Sequence, residues 1–189
     1  KVLSKKYTVR LLVRDPKQVE RLRQKDLQAV LGDLRERDSL REAVKGCEAV
    51  FHLAALVKRW VPKATLYEEV NVEGLRNLAE LSWKEGVERF IYTSSILALG
   101  PTEGLPEKKV VPNPYEVSKK KALGLAREYQ KKGYPLLTVI PTVLYGPGVW
   151  TEGNHLSRLL KDLLSGRFPG WIDKGKWRWN FAYVEDVTK

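Results

Sequence analysis

VERFIYTSS, residues 87–95, and NPYEVSKKK, residues 113–121, decide how this chain reads. The first is an apolar, β-branched and aromatic run that ends on the small hydroxyl side chains Thr93, Ser94 and Ser95. That pattern predicts a strand with a polar carboxyl end. The second follows a Pro/Gly/Lys-rich loop, starts near Pro114 and runs to Gly133. It predicts a long helix that stops at the glycine.

The same alternation extends outward in both directions. Upstream, YTVRLLV (7–13) predicts a strand closed by Arg14-Asp15-Pro16, followed by a charged helical stretch to about residue 25. LQAVLGDL (27–34) is a short strand, and Asp38 is expected to cap a helix over SLREAVKG that ends on Gly46. EAVFHLAAL (48–56) reads as a buried apolar strand. Leu66, Val70, Gly74, Leu78 and Leu81 recur at helical spacing and predict an amphipathic helix over 65–85. Downstream, LLTVIPTVLYG (136–146) reads as one further strand. Strands that alternate with helices and look apolar on both faces indicate the α/β class, a doubly wound parallel sheet covered on each side.

Composition sets the outer limits. The 189 residues suffice for one domain with a core, or one domain and part of another. No apolar run approaches the ~20 residues of a membrane helix, which excludes a helical membrane protein and predicts no membrane partner. A single cysteine, Cys47, excludes an internal disulfide framework and fits a reducing, cytoplasmic setting. The 34 basic and 23 acidic residues leave a net charge of +11. The basic residues are scattered as pairs and triplets such as Lys5-Lys6, Lys108-Lys109 and Lys119 to Lys121, with no nucleic-acid motif. They read as solvated faces rather than a nucleic-acid footprint. A charged fraction of 30% without any methionine is similar to thermophile surface chemistry. No metal site is expected.

A doubly wound sheet holds its ligand beyond the carboxyl ends of its strands. Those ends carry Arg14, Asp33, Leu53-Ala54-Ala55, Thr93-Ser94-Ser95 and Pro141-Thr142-Val143. Tyr115 and Lys119 lie four apart and so share one helix face. An ammonium beside a phenol favours the phenolate, so the lysine is expected to lower the tyrosine pKa. Ser95 at a strand end can hydrogen-bond a substrate oxygen. A Tyr-x-x-x-Lys pair by itself carries little weight; its context carries more.

That context resembles the extended short-chain dehydrogenase/reductase family, the NAD-dependent epimerase/dehydratase superfamily. GDL (32–34), FHLAA (51–55), VNVEG (70–74), YTSS (92–95), NPYEVSK (113–119), IPTVLYGPG (140–148) and FAYVEDV (181–187) follow that family's order over nearly the whole chain. The resemblance implies a Rossmann domain that binds a nicotinamide dinucleotide, and a Ser-Tyr-Lys catalytic set at Ser95, Tyr115 and Lys119. It implies that Asp33 and Leu34 flank the adenine, and that Leu53, Ala54 and Ala55 run past the ribose and phosphates. It further implies that Asn71 steadies the strand beneath the site, with Thr93 and Ser94 near the cofactor and Pro141, Thr142 and Val143 lining the nicotinamide. Arg14 points to NADP, because a guanidinium pairs bidentately with the extra phosphate, and Lys17 adds a second charge. Asp15, one position on, is the competing ribose ligand of an NAD enzyme, so NAD stays open.

The chain departs from the family pattern in places. The Gly-rich turn that cradles the pyrophosphate is absent, and KVLSKK (1–6) looks like the end of the first helix. A first strand, glycine loop and helix, roughly 20–30 residues, are expected before Lys1. The loop between Ser95 and Tyr115 looks short, and the C-terminal lobe looks cut off after Lys189. The expected division is an N-terminally incomplete dinucleotide-binding domain over 1–145 and the start of a smaller substrate lobe over 146–189. Residues 180–189 are expected to return to the first domain.

Within the family, FHLAALV, YTSSILALG and Arg14 look most like the dihydroflavonol-reductase-like branch. The leading expectation is an NADPH-dependent reductase of a small ketone or aldehyde. Loop residues 97–105 and those after Tyr145 would contact the substrate, with Trp60, Trp150, Trp171, Trp177 and Trp179 as candidate aromatic walls. The alternatives are an NAD-dependent nucleotide-sugar epimerase or dehydratase, and a non-catalytic dinucleotide-binding regulatory or assembly protein. The resemblance also suggests a homodimer through the helix that bears Tyr115 and Lys119.

Overall fold

The computed structural model describes residues 6–23, 27–58, 60–100, 113–148, 155–168, 170, 174 and 178–189. Four-residue strands β1 (Arg10–Val13) and β2 (Gln28–Leu31) flank helix α1 (Pro16–Arg23). A 3₁₀ turn, Arg37–Leu40, runs into the short α2 (Arg41–Val44), then β3 (Ala49–His52). Helix α3 (Thr65–Glu68) passes through a π-helical turn, Glu69–Glu73, into α4 (Gly74–Lys84). Next come β4 (Arg89–Thr93), a 3₁₀ turn over Ile96–Ala98, and the long α5 (Pro114–Lys131). Strands β5 (Leu136–Val139) and β6 (Val143–Tyr145), helix α6 (His155–Leu164), β7 (Phe181–Tyr183) and α7 (Val184–Val187) complete the order. No helix among the described residues is long and apolar enough to cross a membrane.

All strand pairs are parallel, as the βα alternation requires. They form three groups, β1-β2, β3-β4-β5 and β6-β7. The segment over 136–146 is therefore two strands, because Pro141 has no N–H to continue a ladder. Its carbonyl instead accepts the Ile96 N–H at 3.0 Å, which ties this bend to the end of β4.

Register separates the two faces of the three-stranded group. Val50, Phe90 and Leu136 align in one row, and His52, Tyr92 and Thr138 in the next. This face packs beneath α4 and α5, where Leu75, Ala79, Ala122 and Ala126 are fully buried. Phe51, Ile91 and Leu137 align on the opposite face, where Phe51 is 48% and Leu137 62% exposed. The expectation of a buried strand over 48–56 is thus corrected: β3 is apolar on both faces but covered on one.

Local chemistry explains the helix boundaries. Asn113 accepts the Glu116 N–H at 3.0 Å while Glu116 Oε2 accepts the Asn113 N–H at 3.3 Å, a reciprocal capping box at the start of α5. Asp38, expected as a cap, is not one; it lies inside the 3₁₀ turn, whose N-cap is Glu36 without a side-chain bond. The hydroxyl of Ser39 does the bonding there, accepting from the Asp33 N–H at 2.9 Å and donating to the Glu36 carbonyl at 2.7 Å.

Two glycines are set by close approach. A Cβ on Gly74 would lie 2.9 Å from Leu34 Cβ, and one on Gly32 would lie 2.7 Å from the Ser39 carbonyl oxygen. These contacts seat α4 and the 3₁₀ turn against the end of β2. Gly124, exposed within α5, has nothing near its Cβ position. Gly74→Ala should therefore lower unfolding stability by about 1–3 kcal/mol through overpacking. Gly124→Ala should raise it by roughly 0.5–1 kcal/mol through helix propensity. Urea titration of the two variants checks the opposite signs.

Candidate active site

The carboxyl ends of β1, β2 and β3 open onto a cleft of about 270 Å³. Leu12, Val13, Arg14, Asp15 and Gln18 line it from the first strand and helix, and Gly32, Asp33 and Leu34 from the second strand. Ala54, Ala55 and Leu56 follow β3, and Val70 comes from the π-helical turn. The walls are largely apolar, with the carboxylates of Asp15 and Asp33 and the exposed guanidinium of Arg14 among the lining. Arg35 donates to both Asp33 oxygens, from Nε at 3.1 Å and Nη2 at 2.8 Å. That pairing, with a smaller contribution from Arg14, holds the Asp33 carboxyl below the usual aspartate range.

Arg14, Asp33, Leu34, Ala54 and Ala55 thus meet in one cleft. Lys17 and Leu53 are exposed and are not among its lining residues. Asp15, the competing ribose ligand, has a structural duty: its Oδ1 accepts the Lys17 N–H at 2.9 Å, and its carbonyl accepts the Gln18 N–H at the start of α1.

One strand further along, the carboxyl end of β4 brings a second group together. Ser95 caps the 3₁₀ turn by accepting the Leu97 N–H at 3.3 Å, which fixes its hydroxyl at the strand end. The hydroxyl also reaches the Tyr115 phenol and pulls its pKa down, but burial has the larger effect and the phenol titrates above its ordinary value. The expected lowering by Lys119 is therefore corrected. The ammonium of Lys119 turns toward β4, donates to the Thr93 carbonyl at 3.0 Å, and lies 4.9 Å from the centre of the Tyr92 ring. Lys119 is 2% exposed, and burial brings its pKa down to about 8.

The remaining positions divide between interior and edge. Ser94 is buried, its N–H donates to the Val139 carbonyl at 2.8 Å, and its hydroxyl lies beside the Tyr92 phenol. Pro141, Thr142 and Val143 are half-buried at the β5–β6 bend. Residues 101–112 and Trp150, Trp171 and Trp177 lie outside the described residues. Trp60 and Trp179 are exposed.

Asn71 joins the two groups. Its Oδ1 accepts the Leu56 N–H at 2.7 Å, and its Nδ2 donates to the Leu56 carbonyl at 3.2 Å and to Ser118 Oγ at 2.9 Å. Ser118 Oγ donates in turn to the Tyr115 carbonyl at 2.7 Å. Asn71 therefore clamps the cleft wall, four residues past β3, to the helix of Tyr115 and Lys119, rather than holding the strand itself. The clamp sits in the π-helical turn, a helix irregularity common at functional sites.

His52, Tyr67 and Tyr92 also belong to the site, although the sequence reading assigned none of them a role there. His52 is buried and kept neutral, its pKa brought down to about 3 by burial and then by the Lys119 charge. Its ring stacks on Tyr92 with centroids 5.7 Å apart. Tyr67 sets its ring edgewise on Tyr115 at 6.4 Å and donates its hydroxyl to the Lys58 carbonyl. A lone hydroxyl or imidazole in a sequence gives no sign of such neighbours; the period-2 alignment of residues 52 and 92 was the available clue. Among the described residues, no group of three or more His, Cys, Asp or Glu side chains could hold a metal ion.

A lysine whose pKa is near 8 when folded and about 10.4 when unfolded binds its proton more tightly in the unfolded chain. Its contribution to stability therefore improves as pH rises from about 8 to about 10.4 and is least favourable below that window. Lys119→Met should flatten this part of the stability–pH curve, as measured by denaturant midpoints across the window.

The comparisons with known proteins agree with this architecture. The model of the NAD dependent epimerase/dehydratase family matches residues 1–189. A Synechocystis sp. protein provisionally named a dihydroflavonol 4-reductase is 28% identical over 99% of this chain and 55% of its own length. The Escherichia coli O157:H7 N-acetyl-α-D-glucosaminyl-diphospho-ditrans,octacis-undecaprenol 4-epimerase is 33% identical over 84% of this chain and 49% of its own length. The crystal structure of gox2253 superposes with a TM-score of 0.77 at 32% identity, covering 98% of this chain and 58% of that one. The chain spans about half the length of the curated relatives it matches. Full-length agreement with the family model and the shared parallel α/β architecture place this chain in the NAD dependent epimerase/dehydratase family.

Proposed function

We propose that the protein is an NADP(H)-dependent reductase of a carbonyl on a small organic substrate. The observation that carries this reading is the grouping at the end of β4. A phenol kept protonated by burial, Tyr115, has the Ser95 hydroxyl beside it and a buried ammonium one helical turn behind. A protonated phenol is a proton donor, the role that reduction of a carbonyl asks of it.

The cleft residues fit the adenosine half of a dinucleotide. Leu12, Leu34, Ala54 and Ala55 give apolar walls with room for a base, and Asp33 supplies an acceptor already oriented by Arg35. Arg14 lies at the mouth, where a guanidinium can pair with a ribose phosphate. Bound there, the nicotinamide nucleotide supplies the hydride. The chain's own residues do the rest. Ser95 donates to the carbonyl oxygen and orients it, and Tyr115 gives its proton to that oxygen. Lys119 completes the set with a positive charge one helical turn behind the phenol, its ammonium held on the Thr93 carbonyl. The fold, the single cysteine and the small-molecule cleft support a role on a metabolite in a reducing compartment such as the cytoplasm, with a homodimer through α5 as the proposed assembly.

The second reading is an epimerase or dehydratase acting on a nucleotide-linked sugar, favoured by the 33% identity to the 4-epimerase. Such an enzyme uses a retained NAD internally. Nucleotide released from the purified protein, identified by mass, separates the two: retained NAD favours the epimerase, and exchangeable NADP favours the reductase.

Two substitutions test the reductase reading directly. Tyr115→Phe should lower kcat for NADPH-dependent carbonyl reduction by about 10²- to 10⁴-fold, the range for loss of a positioned acid. Arg14→Ala should raise KM for NADPH by roughly 10- to 100-fold while leaving KM for NADH nearly unchanged, since one charge-assisted phosphate contact is lost. Full activity in Tyr115→Phe contradicts the mechanism; an equal loss with both nucleotides contradicts the NADP assignment.

A further inference from the structure

Lys119 presents an unusual requirement: an ammonium with almost no access to water needs groups that replace its hydration. The described residues provide one conventional acceptor, the Thr93 carbonyl at 3.0 Å. The second partner is the face of Tyr92, whose ring centre lies 4.9 Å from Nζ, well within the range of a cation–π contact. Both partners are consecutive residues of β4, so one short piece of strand grips the ammonium from two directions. Tyr92 is 1% exposed and cannot swing away. On β3 the aligned His52 stacks against it at an interplanar angle of 22°, which fixes the ring in place. The Tyr92 hydroxyl lies beside the Ser94 hydroxyl, at the far end of the ring from the strand backbone, and leaves the ring face to the ammonium.

We propose that Tyr92 is a positioning residue for the site, its ring serving as the platform that holds the Lys119 ammonium behind Tyr115. The inference rests on the catalytic assignment of Lys119 made above, and it adds a residue that acts through the lysine without touching substrate or nucleotide. The groups facing the ammonium are few. His52 on β3 is neutral, Tyr92 on β4 is a phenol pushed up to about 12, and Tyr115 on the lysine's own helix is also held protonated. Among the described residues no carboxylate pairs with Lys119, and the ring face complements the Thr93 carbonyl.

The ring contributes through its quadrupole, and fluorination removes that without removing the ring. With the protein labelled at lysine Cε, the Lys119 resonance is assigned by its loss in Lys119→Arg and titrated by NMR. Tyr92→Phe keeps the ring face and should leave the midpoint unchanged. Replacing Tyr92 by pentafluorophenylalanine should lower it by about 0.5–1 pH unit, since a cation–π contact of ordinary strength corresponds to roughly that shift. Tyr92→Leu should do the same, with the alkaline limb of kcat moving in parallel. An unchanged midpoint in the fluorinated variant, or an equal fall in Tyr92→Phe, overturns the proposal. If Tyr92→Leu fails to fold, the fluorinated ring still decides. A fluorine-induced shift in a protein that reduces no carbonyl would uphold the Tyr92 platform and reject the reductase.

Discussion

A buried ammonium constrains this structure more than any other single group. Lys119 has given up water for one carbonyl and one aromatic face, and both lie on β4. Removing either partner leaves a charge in the interior, which is far more costly than losing an exposed one. The requirement therefore fixes the distance and rotation of α5 over the sheet. Tyr115, one turn earlier on the same helix, is carried to the strand end where Ser95 waits. The geometry of the candidate site follows from where the lysine must be buried.

Asn71 extends that constraint to the cleft. A helix of regular pitch from Thr65 to Lys84 would place its side chains differently. The π-helical turn over Glu69–Glu73 adds a residue to the spiral and lets one amide bond three groups at once. Because its partners belong to the loop after β3 and to α5, the cleft wall and the catalytic helix are mechanically coupled. Gly74 at the end of that turn then allows Leu34 to close against it. Asn71 and Gly74, three residues apart in one motif, VNVEG, serve opposite sides of the same crevice.

Much of this was legible in the sequence, for identifiable reasons. Periodicity and breakers located the elements, since Gly46, Gly86 and Gly133 do end helices in left-handed geometry. Strand ends named the residues that surround the cleft, because a parallel sheet presents every carboxyl end on one side. Spacing alone put Tyr115 and Lys119 on a common helix face. Their electrostatics were not legible. Adjacency on a helix suggested that the lysine would lower the tyrosine pKa, but direction in space decides, and the ammonium points to the strand. Asp38 and Ser39 show a similar limit, for two neighbouring polar residues compete for a capping role and only the turn geometry chooses. Tyr92 and His52 were hidden because an aromatic row inside a sheet looks the same in sequence whether it packs a core or seats a charge.

The central claim is that the cleft at β1–β3 and the group at the end of β4 are two halves of one dinucleotide-dependent site. A crystal structure of the protein grown with NADP⁺ tests it most directly. The account predicts the phosphorylated ribose against Arg14, the adenine between Leu34 and the Ala54-Ala55 segment, and the nicotinamide within contact of Tyr115. A nucleotide bound elsewhere, or an adenosine half in the cleft with the nicotinamide turned away from Tyr115, would contradict it.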